Sequence, residues 1–221
     1  MKNKHFLPLL AAFFLVAQAS YGQYNYNYNN QDDDFRRNEV YAQYGVITVQ
    51  SGIIVTRIFL ADLFAKALNE VIEDFGAEGL DYTRDVRATR GAIGLGYNRY
   101  LSPRWTVGAM TNYQGFRTTM TFENSQELYL KDNFYTFLLR TDYRWVNQPA
   151  VQLYSGIAMG GTLWVSKYEA AQVNAAKGFS TGFFNMQVTP LGVRVGKQIG
   201  GFVEFGLGTN GLLVGGISGK F

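Results

Sequence analysis

The sequence GFVEFGLGTNGLLVGGISGKF, residues 201–221, contains two runs in which apolar side chains recur at every second position. The apolar faces carry Val203, Phe205 and Leu207 in the first run and Leu213, Ile217 and Phe221 in the second. The opposite faces carry Glu204, Ser218 and Lys220. A period of two is typical of β-strands, and Asn-Gly between two such runs predicts a hairpin. We interpret this stretch as the closing hairpin of a transmembrane β-barrel.

The composition restricts the class of protein. Charged residues make up only 17% of the 221 residues and aromatic residues 16%, which suits short strands with aromatic side chains at interfaces. No run of about 18 apolar residues follows the amino terminus, so a membrane-embedded chain would have to be a closed barrel. The net charge of +3 includes two lysines of a predicted leader, which leaves 3 − 2 = +1. That charge gives no reason to expect nucleic-acid binding.

Residues 1–22 have the pattern of a secretory signal peptide. Lys2 and Lys4 precede the apolar run 6–16, and small residues follow it. Cleavage after Ala19 or after Gly22 fits, and we favour Gly22. The alternative, an anchoring helix, needs a longer apolar run than this one. Residues 23–38 are polar and of low complexity, which predicts a disordered linker. Its three consecutive aspartates, 32–34, are typical of a solvated charge run rather than a calcium loop.

The histidine and cysteine content argues against catalysis. The only histidine is His5, which lies in the predicted leader, and the chain has no cysteine. A mature chain without either residue cannot form Ser-His-Asp or Cys-His catalytic groups, or His/Cys zinc sites. We therefore expect no enzymatic activity, no metal and no cofactor.

Alternating runs continue from residue 39 to the end of the chain. They cover 39–48, 88–101, 105–122, 127–146, 151–165, 182–197 and the closing hairpin, which makes eight strands. Pro190 predicts a bulge within its run. Short joints at 101–104, 147–149 and 197–200 alternate with longer ones at 48–87, 123–126 and 167–179, as in outer-membrane barrels. A soluble lipocalin-type barrel would place its apolar face inside. Here the charged face is narrow and rich in small residues, so we expect the apolar face outside.

Two sets of side chains are assigned roles in this barrel. Trp105, Tyr143 and Trp145 lie at the ends of apolar faces, and we predict that they are interface aromatics. Seven charged residues lie on the inward face near the periplasmic end: Glu39, Arg140, Asp142, Arg144, Arg194, Glu204 and Lys220. We predict that they form an ion-paired plug, because unpaired charges in a narrow lumen are costly. The alternative is that some of them simply reach the periplasmic interface.

Residues 51–75 break the alternation. Apolar residues recur there at three- and four-residue spacing, with Arg57, Asp62 and Lys66 largely opposite, which predicts an amphipathic helix in the first extracellular loop. Its apolar stripe includes Ile54, Ile58 and Phe64. We expect the stripe to cover the barrel rim; packing on the membrane interface or on a partner are the alternatives.

Three stretches, YNRYLSPRWTVG at 97–108, VTPLGVRVGK at 188–197 and residues 201–221, carry a resemblance to a known family. The chain resembles the small outer-membrane β-barrel proteins of Gram-negative bacteria, in detail those of the Bacteroidetes type. The resemblance implies location in the cell outer membrane, contact with its lipid and lipopolysaccharide, and insertion by the barrel-assembly machinery. Leu213, Ile217 and Phe221 match the carboxy-terminal signal that this machinery reads.

Two functions remain open. The first is a surface or scaffold protein whose loops interact with a partner, a polysaccharide or another envelope component. The second is a transporter or binding barrel for small apolar ligands, similar to the OmpW group. For the second function we expect a pocket formed by Phe134, Leu138, Tyr154 and Trp164, although ordinary packing of the lumen also explains these residues.

Overall fold

The computed structural model describes residues 36–74, 82–88, 91–122, 127–170 and 173–221. The predicted signal peptide, the linker up to residue 35 and the predicted end of the helix at 75–76 lie outside the described residues. Helix α1 (Val49–Asp74) follows the first strand. The strands are β1 (Asn38–Val46), β2 (Tyr82–Ala88), β3 (Ala92–Tyr100), β4 (Trp105–Phe122), β5 (Glu127–Asn147), β6 (Val151–Ala170), β7 (Val173–Val195), β8 (Ile199–Gly208) and β9 (Leu213–Lys220).

These segments form a closed antiparallel barrel of eight strands. Segments β2 and β3 both pair with β4, through Ala88 opposite Phe116 and Ile93 opposite Tyr113, so they act as one interrupted strand. The sheet closes because β1 pairs with β3 on one side and with β9 on the other. Strand β4 also pairs with β5. The predicted fold class is therefore confirmed, with one helix after the first strand. Among the described residues, no helix is long and apolar enough to cross a membrane.

The apolar face of the strands points outward, as predicted. In β6, Tyr154 and Ala158 are buried in the lumen, whereas Met159 and Leu163 are exposed on the outside. Small residues on the inner face make room for aromatic rings. A Cβ atom at Gly192 would collide with the ring of Tyr154. The lumen of an eight-stranded barrel is wide enough only for side chains, which explains this pairing of glycine with tyrosine.

The two ends of the barrel differ. At one end, the amide of Asn38 donates to the Phe221 carbonyl at 3.0 Å, and the amide of Phe221 donates back at 2.9 Å. The short joints 101–104, 148–150 and 196–198 lie at this end, which we call the turn end. At the opposite loop end, β4, β5, β6 and β7 extend further, since they have 18 to 23 residues while β1, β3, β8 and β9 have 8 to 10. Segment β2 also lies at this end, because it pairs with residues 116–122 of β4.

Two predicted joints are wrong in part. Residues 48–87 were expected to form one long loop, but residues 82–87 belong to β2, which pairs with β4. Residues 167–179 were expected to form a long loop, but β6 continues to Ala170 and β7 begins at Val173. This part of the hairpin projects with β4 and β5 beyond β1, β8 and β9, where neither face has to be apolar, so its sequence shows no alternation. The bulge predicted at Pro190 is confirmed by a register shift between Val188 and Leu191 in the pairing with β8. Inward positions change there from Gln187 and Thr189 to Gly192 and Arg194.

Candidate functional site

All seven charged residues assigned to the lumen are buried inside the barrel near its turn end. Glu39 lies between two arginines: Arg144 Nη2 is 3.0 Å from one carboxylate oxygen and Arg194 Nε is 2.9 Å from the other. The ammonium of Lys220 lies 5.0 Å from the ring centre of Tyr100, whose hydroxyl donates to Glu39 at 3.2 Å. Each charge in this group therefore has a partner of opposite charge or an aromatic face.

A second group of charges lies one step further into the lumen. Arg140 contacts Asp142 at 2.7 Å and Glu204 at 2.6 Å. The Tyr154 hydroxyl donates to Glu204 at 2.8 Å, and Thr106 donates to Asp142 at 3.2 Å. The guanidinium of Arg140 also lies 5.8 Å from the ring centre of Tyr154. Short charge-assisted bonds of this kind are the strong class of hydrogen bond. They compensate for the cost of removing these groups from water.

Very little space remains among these charges. The free volume they enclose is about 10 Å³, roughly the space that one water molecule needs. Residues of both groups line this space, including Glu39, Arg140 and Arg194. The register explains why they meet: Arg140, Asp142 and Arg144 occupy successive inward positions of β5, so they stack along the barrel axis.

Above the charges, the lumen is filled by an apolar layer and then by an amide layer. The apolar layer consists of Tyr41, Met110, Leu138, Ala158, Phe202 and Val214. In the amide layer, Gln43 donates to Asn112 at 3.1 Å and Asn112 donates to Asn210 at 2.6 Å. The backbone N–H of Asn210 in turn donates to the side-chain oxygen of Gln187 at 2.8 Å. Asn210 belongs to the turn between β8 and β9, which is buried rather than exposed. Sequence reasoning missed this layer, although an inward Gln43 was a signal for it.

Helix α1 covers the mouth of the barrel at the loop end. Ile54 is buried against Phe116 and Phe134, and Ile58 packs against the same cluster. Thr48, just before the helix, donates to Gln114 at 2.7 Å. The predicted helix is thus present, and its first half covers the lumen at the loop end. Of the three positions expected for the helix, this half therefore takes the one on the barrel rim.

The division of the helix into faces differs from the prediction. Arg57 was expected on the polar side, but it points toward the barrel, and Phe64 was expected on the covered stripe but is exposed. The outward side also exposes Val55, Phe59, Leu60 and Leu63. Apolar residues occur all around this helix, so the spacing of a few of them could not determine which face is covered.

Arg57 joins a polar cluster that sequence reasoning missed. Its guanidinium contacts Asp132 at 3.3 Å and donates to the Tyr168 hydroxyl at 3.0 Å. The Trp164 indole also donates to Asp132, at 2.8 Å, and the Trp164 ring stacks on Phe134 at 5.3 Å. Asp132 is an acid at an inward position of β5, but no sequence signal links it to Arg57, which lies 75 positions earlier in the chain.

The four residues proposed for an apolar pocket do not come together. Phe134 and Trp164 lie at the mouth, Leu138 belongs to the apolar layer, and Tyr154 binds Glu204. A cavity of about 240 Å³ does exist, but it lies between α1 and the inner faces of β4, β5 and β6 at the loop end.

On the outer surface, the predicted interface aromatics form one cluster at the turn end. Trp105 lies 5.0 Å from Tyr143, and Tyr143 lies 4.8 Å from Trp145. A second pair, Tyr113 and Tyr135 at 5.3 Å, lies on the same two strands toward the loop end and was not predicted. Exposed aliphatic and aromatic side chains such as Phe137 and Leu139 occupy the surface between the two clusters.

The three residues of the predicted assembly signal all belong to the outer side of the last strand and its end. Leu213 and Ile217 are exposed and Phe221 is half-buried. Their recognition by an assembly machinery stays a prediction.

Comparisons with known proteins find matches among solved structures. No protein-family model and no curated protein matches the chain. Among solved structures, the crystal structure of Ail, the attachment invasion locus protein of Yersinia pestis, matches with 12% sequence identity and a TM-score of 0.37. The match covers 84% of this chain and 97% of Ail. A TM-score this low does not establish that the two proteins share a fold.

Proposed function

We propose that this chain is an outer-membrane barrel with a closed lumen, which acts as a surface or interaction protein rather than as a pore. The observation that carries the proposal is the buried layer of ion pairs, which leaves a free volume of only about 10 Å³. Hydrated ions and solutes cannot pass such a layer unless several ion pairs break. The apolar layer, the amide layer and the covering helix lie above it and close the lumen again.

The outer surface supports the membrane location. Soluble monomers rarely expose contiguous apolar patches of more than a few hundred Å², yet this barrel exposes large apolar side chains on every one of its eight strands. On β5 the outward aromatic residues Tyr135 and Trp145 are ten positions apart. At a rise of about 3.3 Å per residue this is about 33 Å along the strand. A strand tilted by about 40° then covers about 25 Å, the height of the apolar band of outer-membrane barrels.

The two ends of the barrel suggest its orientation. Outer-membrane barrels have short turns on the periplasmic side and longer connections outside, so we assign the turn end to the periplasm. The projecting strands and α1 then lie at the cell surface, where lipopolysaccharide, a polysaccharide or another envelope component can contact them. Insertion by the barrel-assembly machinery, with Leu213, Ile217 and Phe221 as its signal, belongs to the same proposal.

Conductance in planar lipid bilayers tests the closed lumen. We expect the reconstituted chain to show no sustained open level on the nanosiemens scale. The triple variant Arg140→Ser, Asp142→Ser, Glu204→Ser removes one group of ion pairs and should raise the ion leak. The matched control Arg99→Ser removes an exposed charge of β3 and should leave the conductance equal to that of the unmodified chain. A sustained nanosiemens-scale level in the unmodified chain would refute the closed lumen.

A further inference from the structure

We propose that the cavity under α1 is a binding site for a small uncharged apolar molecule that carries one hydrogen-bonding group, such as a medium-chain alcohol. We call this site the mouth cavity. It lies above the closed part of the lumen, so a ligand there is held at the loop end rather than passed through the barrel. The site therefore goes beyond the function proposed above.

Apolar side chains form most of the wall of the mouth cavity. Ile54, Ile58 and Ala61 line it from the helix, and Met120, Leu128 and Leu130 line it from β4 and β5. Ala61 is exposed, so the cavity is open beside it. A cavity with such a wall favours apolar ligands, because binding removes the apolar surface of both the ligand and the wall from water.

Three of the four polar side chains that line the mouth cavity contact one another, and the fourth is Thr118. Arg57, Asp132 and Tyr168 all belong to its lining. One positive and one negative side chain give no net charge, which favours an uncharged ligand over an ion. Trp164 orients the carboxylate from behind through its indole, which donates to Asp132.

The Arg57–Asp132 pair is looser than the other buried pairs. Arg57 Nη1 lies 3.3 Å and 3.5 Å from the two oxygens of Asp132, whereas the four pairs in the lumen measure 2.6 to 3.0 Å. Charge-assisted bonds are normally about 2.7 to 2.9 Å. The Arg57 side chain is also 32% exposed. A ligand hydroxyl can therefore donate to Asp132 and accept from Arg57 without breaking a tight contact.

The volume sets the size of the ligand. The mouth cavity measures about 240 Å³, while an apolar cavity of about 150 Å³ in another protein binds benzene, with its six carbons. Scaling by volume gives a ligand of on the order of ten non-hydrogen atoms. Octanol, with eight carbons and one hydroxyl, fits this size and the distribution of polar groups.

Tryptophan fluorescence can report occupancy of the mouth cavity. The chain has three tryptophans, and two of them, Trp105 and Trp145, lie on the outer surface at the turn end. In the background Trp105→Phe, Trp145→Phe, the only remaining tryptophan is Trp164, which is bonded to a residue of the cavity wall. The probe is octanol brominated at its chain end, because bromine quenches tryptophan at short range. The full chain is reconstituted in phospholipid nanodiscs for this measurement.

We expect saturable quenching of Trp164 by the brominated octanol and recovery of the emission when unbrominated octanol is added. Ala61→Phe narrows the cavity and should raise the half-saturating probe concentration severalfold. Ala67→Phe makes the same change at an exposed position of α1 outside the cavity lining and should leave that concentration unchanged. Heat-modifiability in electrophoresis checks that each variant is folded.

Two results would overturn the site. The first is quenching that rises linearly with the probe and is equal in both variants, since this shows partition into lipid alone. The second is quenching of Trp164 in the Trp105→Phe, Trp145→Phe background that unbrominated octanol does not reverse. This measurement needs no variant of the cavity. Neither result bears on whether the lumen is closed, because bilayer conductance tests the closed lumen separately. A conducting lumen with intact saturable quenching would instead overturn the proposed function and leave the mouth cavity in place.

Discussion

Leu139→Arg compared with Leu101→Arg tests whether the apolar outer surface contacts lipid. Both leucines are exposed, 60% and 65% respectively. In water, either surface substitution would change the free energy of unfolding by about 0.5 kcal/mol or less. Leu139, however, lies midway between the outward residues Tyr135 and Tyr143 of β5, four positions from each. Leu101 lies in a short joint at the turn end.

The expected difference follows from depth in the bilayer. An arginine facing lipid at the midplane costs about 2 to 4 kcal/mol, and one near the interface costs about 0 to 1 kcal/mol. We therefore expect Leu139→Arg to lower the free energy of unfolding by about 2 to 4 kcal/mol and Leu101→Arg by less than about 1 kcal/mol.

Reversible urea unfolding of the chain in phospholipid vesicles measures both values, with tryptophan emission as the signal. Loss of lipid contact on unfolding shifts the emission of Trp105 and Trp145, which lie on the outer surface. Small and equal changes in the two variants would show that residue 139 is solvated, and the assignment of the outer surface to lipid would then be wrong. A large effect at residue 101 alone would instead place the turn end in the bilayer.

Two further predictions concern the lumen and the orientation. Arg140→Met removes the shared partner of Asp142 and Glu204 and leaves both carboxylates buried, so we expect a loss of about 3 to 5 kcal/mol in the same urea assay. A loss below about 1 kcal/mol would mean that the lumen is hydrated there. Because the chain has no cysteine, single cysteines can report exposure in cells. Lys66→Cys in α1 should react with a membrane-impermeant maleimide on intact cells, and Lys197→Cys at the turn end only after lysis; the reverse pattern would invert the proposed orientation.

Much of the barrel can be predicted from sequence because a strand repeats every two residues. Once the apolar face of β5 is placed outside, Arg140 and Asp142 must point inward at neighbouring heights. Four basic and three acidic side chains near the same end of the narrow lumen then have few partners other than one another. The same logic fails for the pairing itself: the contact of Arg140 with Glu204 crosses the lumen, and strand register does not determine contacts across it.

Prediction also fails where the surroundings no longer restrict the sequence. Beyond the apolar belt, β6 and β7 have no face that must be apolar, so residues 167–179 gave no strand pattern although the described part of them is strand. The prediction of which face of helix α1 is covered fails for a different reason. Apolar residues occur on all sides of the helix, so the covered face depends on which side chain packs best at the mouth, and there Ile54 packs against Phe116 and Phe134.

The layers of the lumen explain where a ligand site can form. An eight-stranded barrel has so narrow an interior that side chains fill it, as the ion pairs, the apolar layer and the amides do here. The mouth cavity lies where β2 and β4 to β7 extend past β1, β8 and β9, so that the ring of strands is incomplete there. A helix laid against that incomplete wall cannot match it as closely as neighbouring strands match each other, and the cavity beside Arg57 and Asp132 is the space left between them. Binding is therefore expected at the mouth of this barrel rather than along its axis.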